Sequence, residues 1–136
     1  MKQRVLFLCT HNSARSQMDE AFLNSICGHL YEARSAGTEP TVVNPMVVTA
    51  MKEIGYDLSR NRAKSTDEFL EEKFDLVVTL CAPAQESCPF FPGAVKYEHH
   101  DFDDPAGCQG TERRVLACVR RIRNEIREWV GVRFKA

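Results

Sequence analysis

A chain of 136 residues, with 18 Lys and Arg against 19 Asp and Glu and a formal net charge of -1, is sized for one domain over residues 1–136. Its 43% hydrophobic and 27% charged content fits a globular chain and excludes disordered, collagen-like and low-complexity classes. The near-neutral charge gives no general attraction to nucleic acid or an anionic membrane, and no apolar run is long enough to span a bilayer. The apolar stretch at residues 5–9 is too short for a signal peptide, so a cytoplasmic monomer with no nucleic-acid or membrane partner is expected.

Residues 4–9 (RVLFLC) form the short apolar run of a buried parallel strand. From Ser16 the spacing predicts a helix with Met18, Ala21, Phe22 and Ile26 on its buried face and Gly28 at its end. Residues 30–35 predict a second strand, closed by Ala36 and Gly37. Asn44 caps a helix that starts at Pro45, with Val47, Ala50, Met51 and Ile54 as its stripe and Gly55 as its stop. Ser65 and Glu68 make a capping box for a short helix through Lys73. Residues 74–81 (FDLVVTLC) are the clearest strand, followed by a loop holding Pro83, Pro89 and Pro92. Residues 95–99 predict the last strand and residues 100–110 an acidic loop. A final helix over 111–130 has Val115, Val119, Ile122, Ile126 and Val130 as its stripe, with Arg113, Arg120, Arg123 and Arg127 outside it. Glu112, Glu125 and Glu128 interrupt those arginines, which reads as a solvated face rather than a nucleic-acid surface. Strands alternating with helices define an α/β domain with a small parallel sheet.

Six cysteines punctuate this pattern, none in a Cys-x-x-Cys spacing, so neither a zinc knuckle nor a thioredoxin-type motif is indicated. In a reducing compartment structural disulfides are not expected. Cys27 and Cys118 read as small core residues on apolar helix faces, and Cys108 as an adventitious or auxiliary thiol. Cys9, Cys81 and Cys88 differ, because each falls where a strand gives way to a loop or in that loop.

The informative segment is Cys9-Thr10-His11-Asn12-Ser13-Ala14-Arg15-Ser16, between a strand and a helix. A thiol at the carboxyl edge of a parallel sheet sits where α/β proteins bind ligands. A loop that turns its N–H groups inward, with a helix N-terminus behind it, cradles a tetrahedral oxyanion. The same field favours a thiolate. Arg15 can grip two anion oxygens, Ser16 can donate to the sulfur as it leaves, and Asn12 tolerates the left-handed backbone of a tight cradle. No Gly-Lys-Ser/Thr is present, so this is not a nucleotide loop. An oxyanion acceptor also needs a proton for its leaving oxygen. Asp101, Asp103 and Asp104 compete for that role, with Asp104, before Pro105, the leading general acid and Asp103 the second. His99 and His100 beside these aspartates specify no ion, and no metal is expected.

CTHNSARSQM at 9–18, SAGTEP at 35–40, VVTLC at 77–81 and DFDDPAG at 101–107 resemble the arsenate reductases built on the low-molecular-weight tyrosine phosphatase fold, over essentially the whole chain. The resemblance implies a three-layer fold whose four-stranded parallel sheet has the order 2-1-3-4. It implies Cys9 as nucleophile, residues 10–16 as oxyanion loop, Arg15 as its ligand, Asp104 as acid, and Cys81 and Cys88 as the redox pair. Asn12 would network with Ser35, and Glu20 matches a residue that holds potassium in some members. The potassium-binding relatives carry an aspartate at the position of Lys64. Ala14 departs from a cysteine and His11 from a glycine found in many members.

On that strand order Cys9 and Cys81 end neighbouring strands about 4.8 Å apart, so a transient Cys9–Cys81 disulfide is reasonable. Passing it to Cys81–Cys88 is harder. A helical 81–88 segment would separate the two Cα atoms by about 10.5 Å at ~1.5 Å per residue. A disulfide needs less than about 7 Å. The activity that the resemblance implies is reduction of arsenate to arsenite, with no tightly bound cofactor and reduced thioredoxin as electron donor. The alternatives are a protein tyrosine or small-molecule phosphatase, which needs neither Cys81 nor Cys88, and a non-catalytic oxyanion sensor.

Overall fold

A computed structural model describes residues 2–134. Its elements run β1 (Gln3–Cys9), α1 (Arg15–Ile26), β2 (Tyr31–Gly37), α2 (Pro45–Lys52), β3 (Phe74–Thr79), α3 (Ala82–Glu86), β4 (Ala94–His99) and α4 (Glu112–Arg133). Short 3-10 turns lie at Thr66–Phe69 and Pro105–Gly107. The strands form one parallel sheet in the order β2-β1-β3-β4.

The central position of β1 explains its sequence. Val5 through Cys9 are all buried, so both faces of the strand must be apolar. Val5, Phe7 and Cys9 face a cluster built with Met18, Phe22 and Leu23 of α1, Val47, Ala50 and Met51 of α2, and Val119, Ile122, Ile126 and Val130 of α4. Leu6 and Leu8 face a smaller cluster with Phe69, Phe74 and Phe91. The layer on that second side is thin, and β4 at the sheet edge leaves Val95 and Tyr97 exposed.

Most predicted ends hold, and the caps form as read. Asn44 accepts from the Met46 N–H, and Ser65 and Glu68 close their capping box. Five expectations need correction. The short helix expected through Lys73 is a 3-10 turn that ends at Phe69. Ile26 is exposed, because the buried face of α1 turns instead through Asp19 and Leu23. The segment after β3 contains α3, whose Pro83 sits in the first turn, where a missing N–H costs nothing. Arg123 is buried rather than solvated, since it donates to the Ala50 carbonyl at 2.8 Å and pairs with Glu53 at 3.0 Å. Cys118 is not a free core residue and Cys108 not a free thiol: the two form a disulfide. Cys27 does pack in the core, its thiol donating to the Phe134 carbonyl at 3.1 Å.

Candidate active site

The sheet register builds the site. Leu8 lies opposite Thr79, and Leu80 N–H donates to the Leu8 carbonyl at 2.8 Å. Cys9 at the end of β1 and Cys81 just beyond β3 therefore reach the same carboxyl edge. Cys9 is 2% and Cys81 5% exposed, so both thiols are shielded from water.

Between Cys9 and α1 the chain turns its carbonyls outward. Those of Cys9, Thr10, His11 and Ser13 accept from the N–H groups of Thr38, Glu39, Thr41 and Asn44 at 3.3, 2.7, 3.1 and 2.9 Å. The Asn12 carbonyl accepts from Gln17 Nε2 at 3.2 Å. The N–H groups of His11, Asn12, Ser13 and Ala14 donate to no protein acceptor among the described residues. No side chain caps α1 either, so its first-turn donors are open as well. Outward carbonyls and inward donors make an anion cradle.

Asn12 is the pivot. Its φ of 49° is the only positive value among the described non-glycine residues. It is held there by its buried side chain, with Oδ1 accepting from Gln17 Nε2 at 2.9 Å and from the Lys64 N–H at 2.8 Å. Its Nδ2 donates to Ser16 Oγ at 2.7 Å, and Ser16 Oγ lies 2.9 Å from Cys9 Sγ. The Ser16 hydroxyl, with its acceptor role met by Asn12, is left to donate to the sulfur. Gly37 lets the second strand approach this loop, since a Cβ there would meet Asn12 N and Thr10 O at 2.7 Å.

Arg15 is buried, with Nη1 donating to the Phe102 carbonyl at 3.1 Å and Nη2 3.5 Å from Asp104 Oδ2. Asp104 therefore stands over the cradle, and a small cavity of about 30 Å³ lies among Cys9, His11, Ser13, Ala14, Arg15, Asp104 and Ala106. Asp103 turns away to Arg121 at 3.2 Å, and Asp101 to His99 at 3.1 Å. His100 stacks on Trp129. Among the described residues no three His, Cys, Asp or Glu side chains converge on a metal position. The imidazole of His11 donates from Nδ1 to the Glu39 carbonyl at 3.0 Å, which pins it at the rim.

Cys81 Sγ lies 3.3 Å from Thr10 Oγ1, which brings a second thiol against the cradle. Cys88 is separate. It is half-buried beside the second core cluster, beyond α3, and burial pushes its thiol pKa up. Ser35 donates to Glu20 Oε1 at 2.6 Å rather than to Asn12. Lys64 Nζ lies 3.1 Å from the same oxygen, so the Glu20 carboxylate already has its cation and these residues do not fit a potassium site.

Sequence reasoning missed three features. Gln17 ties Asn12 to the Arg62 carbonyl and Asn61; its signal was an amide one turn into a helix that starts at an anion loop. Thr10 as the link to Cys81 had no signal in spacing. Asp19 is fully buried with both carboxylate oxygens unpartnered among the described residues, and burial drives its pKa well up.

A parallel α/β sheet that ends in a cysteine-headed loop of inward N–H donors, with an arginine inside and an aspartate above, defines an anion-binding class of α/β domain. Residues 4–135 match the low molecular weight phosphotyrosine protein phosphatase family, and the chain belongs to it. It is 46% identical over 122 residues, 90% of this chain and 88% of the other, to an arsenate reductase of Bacillus subtilis. A solved arsenate reductase in a phosphate-binding state superposes with a TM-score of 0.80 at 28% identity, covering 96% and 95% of the two chains. A thioredoxin-dependent arsenate reductase from Corynebacterium glutamicum gives a TM-score of 0.64 at 26% identity, covering 97% of this chain and 63% of that one.

Proposed function

We propose that this chain, acting as one domain, reduces arsenate to arsenite and is regenerated by thioredoxin. The observation that carries the reading is Cys81 Sγ at 3.3 Å from Thr10 Oγ1: phosphoester hydrolysis needs Cys9, Arg15 and Asp104 but not this second thiol, whereas arsenate reduction needs it. The names of its relatives support the same substrate.

Arsenate enters the cradle, where the free N–H groups and Arg15 hold its oxygens. The Cys9 thiolate attacks arsenic, and Asp104 gives its proton to the departing oxygen, which leaves as water. The Cys81 thiolate then attacks Cys9 sulfur. The S–S bond forms, the S–As bond breaks, and its electron pair stays on arsenic, which leaves as arsenite. Ser16 donates to the Cys9 sulfur as it departs. Cys88 attacks Cys81, freeing Cys9, and the Cys81–Cys88 disulfide takes two electrons from the thioredoxin dithiol. Each turnover moves two electrons, so no flavin or nicotinamide is needed on this chain.

Phosphatase action would use Cys9, Arg15 and Asp104 alone. The phosphatase branch places an aromatic ring after its Asp-Pro to flank tyrosine, whereas Ala106 and Gly107 follow here. The test is thioredoxin-coupled NADPH oxidation with arsenate, run beside hydrolysis of an aryl phosphate. Arsenate-dependent oxidation that exceeds aryl phosphate turnover is expected; phosphate release with no arsenate-dependent oxidation would overturn the assignment.

A further inference from the structure

The Cys108–Cys118 disulfide stands apart from Cys9, Cys81 and Cys88, which are all free thiols. It joins the end of the acidic loop to the second turn of α4, whose neighbouring residues Val119 and Ile122 are buried in the core. Cys108 thus has a rigid anchor. The loop transmits that anchor to Asp104. Asp104 Oδ1 accepts from the Ala106 N–H at 2.9 Å, its carbonyl accepts from the Gly107 N–H at 2.9 Å, and Cys108 N–H donates to the Pro105 carbonyl at 3.1 Å. Residues 104–108 are one hydrogen-bonded turn, so what fixes Cys108 fixes Asp104.

The rest of the loop is held by Arg15 Nη1 donating to the Phe102 carbonyl at 3.1 Å, the Phe102 N–H donating to the Leu80 carbonyl at 3.3 Å, Phe102 packed edge-on against Trp129 and the buried Pro105, none of which ties the Asp104 carboxylate to α4. The Arg121–Asp103 pair is exposed, and such pairs contribute little. Arg15 reaches the Asp104 carboxylate only at 3.5 Å, and an incoming anion competes for the same guanidinium. The disulfide is the one covalent hold on the acid loop apart from the backbone. Both of its cysteines are partly exposed, where an attacking thiolate can reach.

We propose that Cys108–Cys118 is a second thiol–disulfide exchange site, distinct from the arsenate relay, at which a dithiol reductant sets the position of Asp104. Oxidised, the pair holds Asp104 over the cradle. Reduction proceeds through a mixed disulfide: a reductant thiolate attacks one sulfur of the pair, and the reductant's second thiol closes its own disulfide. Two electrons and two protons pass to Cys108 and Cys118, and the acid loop is released from α4. The inference deepens the functional reading above, because it rests on Asp104 acting as the acid.

The test compares wild type, poised so that Cys108–Cys118 is oxidised while Cys9, Cys81 and Cys88 are thiols, with the Cys108→Ser/Cys118→Ser double variant. Equilibration of wild type in dithiothreitol buffers, followed by alkylation and peptide mapping, should show this pair titrating as its own two-electron couple. A pair that stays oxidised throughout, or that reduces only together with Cys81–Cys88, overturns the proposal. Hydrogen exchange at residues 106–108 should be faster in reduced wild type and in the double variant than in oxidised wild type. Single-turnover arsenite release should be about tenfold slower in the double variant, since a misplaced acid loses much of its effect. Equal exchange and equal turnover in the two forms overturn the clamp. No arsenite from either form instead overturns the arsenate reading, and hydrogen exchange then decides the clamp without it.

Discussion

Lys64 Nζ lies 3.1 Å from Glu20 Oε1, and the Lys64 backbone N–H donates 2.8 Å to Asn12 Oδ1, so one residue is joined to both the helix carboxylate and the loop pivot. Both side chains are largely buried, which shields the pair from salt. An ammonium in that place neutralises Glu20 and supports the Asn12 conformation without a bound ion. Arsenate turnover is therefore expected to be the same in potassium and sodium chloride at fixed ionic strength. Replacement of Lys64 by Asp should remove the resident cation and make turnover rise with potassium; a strong potassium preference in wild type would count against the assignment.

Cys9→Ser should fold as wild type does and lose both arsenate reduction and aryl phosphate hydrolysis. The hydroxyl keeps the 2.9 Å contact to Ser16 but stays protonated, whereas attack needs the anion. Retention of a tenth of wild-type turnover would show that another group attacks arsenic. Far-UV circular dichroism with the two assays is sufficient.

The sheet and the loop were legible for the same reason. A central strand buried on both faces writes a continuous apolar run, as residues 5–9 do, and an anion loop between strand and helix must carry its chemistry in consecutive positions. Contacts between distant segments leave no such trace. Thr10 beside Cys81 depends on strand register, and Lys64 against Glu20 came within reach only through family likeness. Helix periodicity placed Met18 and Phe22 of α1 correctly and missed only at Ile26, because Asp19, a charged residue type, occupies a core position. The Cys108–Cys118 pairing was missed because an expectation drawn from the compartment overrode the two cysteines' own spacing.

Asp19 offers a stability prediction. With no partner for either oxygen among the described residues, its folded carboxyl holds its proton far more tightly than the unfolded one, which titrates near about 3.9. The folded state then binds the extra proton, so this group's contribution is full below the unfolded pKa and is lost as pH rises toward the raised folded value. Asp19→Ala removes the buried polar group and adds a better helix former. At pH 8 it should stabilise the protein by about 1–3 kcal/mol, with a smaller gain at pH 4.5. Urea unfolding at the two pH values measures this, and equal gains at both would mean that Asp19 has a partner.

The proposed relay would cross a helix. Cys81 is the N-cap of α3 and packs in the main cluster, while Cys88 lies past its C-terminal end beside the other cluster. A span helical from 81 to 88 would hold the Cα atoms about 10.5 Å apart at ~1.5 Å per residue, beyond the about 7 Å that a disulfide allows, and the observed helix covers Ala82–Glu86 of it. On the proposed relay, α3 is expected to unwind as Cys81 and Cys88 join. Its five residues and its proline make that inexpensive, since so short a helix has little hold of its own. The raised pKa of Cys88 adds a second condition, because its thiolate is scarce at neutral pH while the thiol stays half-buried. Cys88→Ser should complete one turnover and stall as Cys9–Cys81, whereas wild type oxidised by arsenate should accumulate Cys81–Cys88. In wild type the second exchange should quicken as pH rises above neutrality, in proportion to the Cys88 thiolate. Peptide mapping of the acid-quenched species at several pH values follows both. Undiminished thioredoxin-coupled cycling in Cys88→Ser would assign the exit step to an external thiol, since Cys108 is held in its disulfide with Cys118.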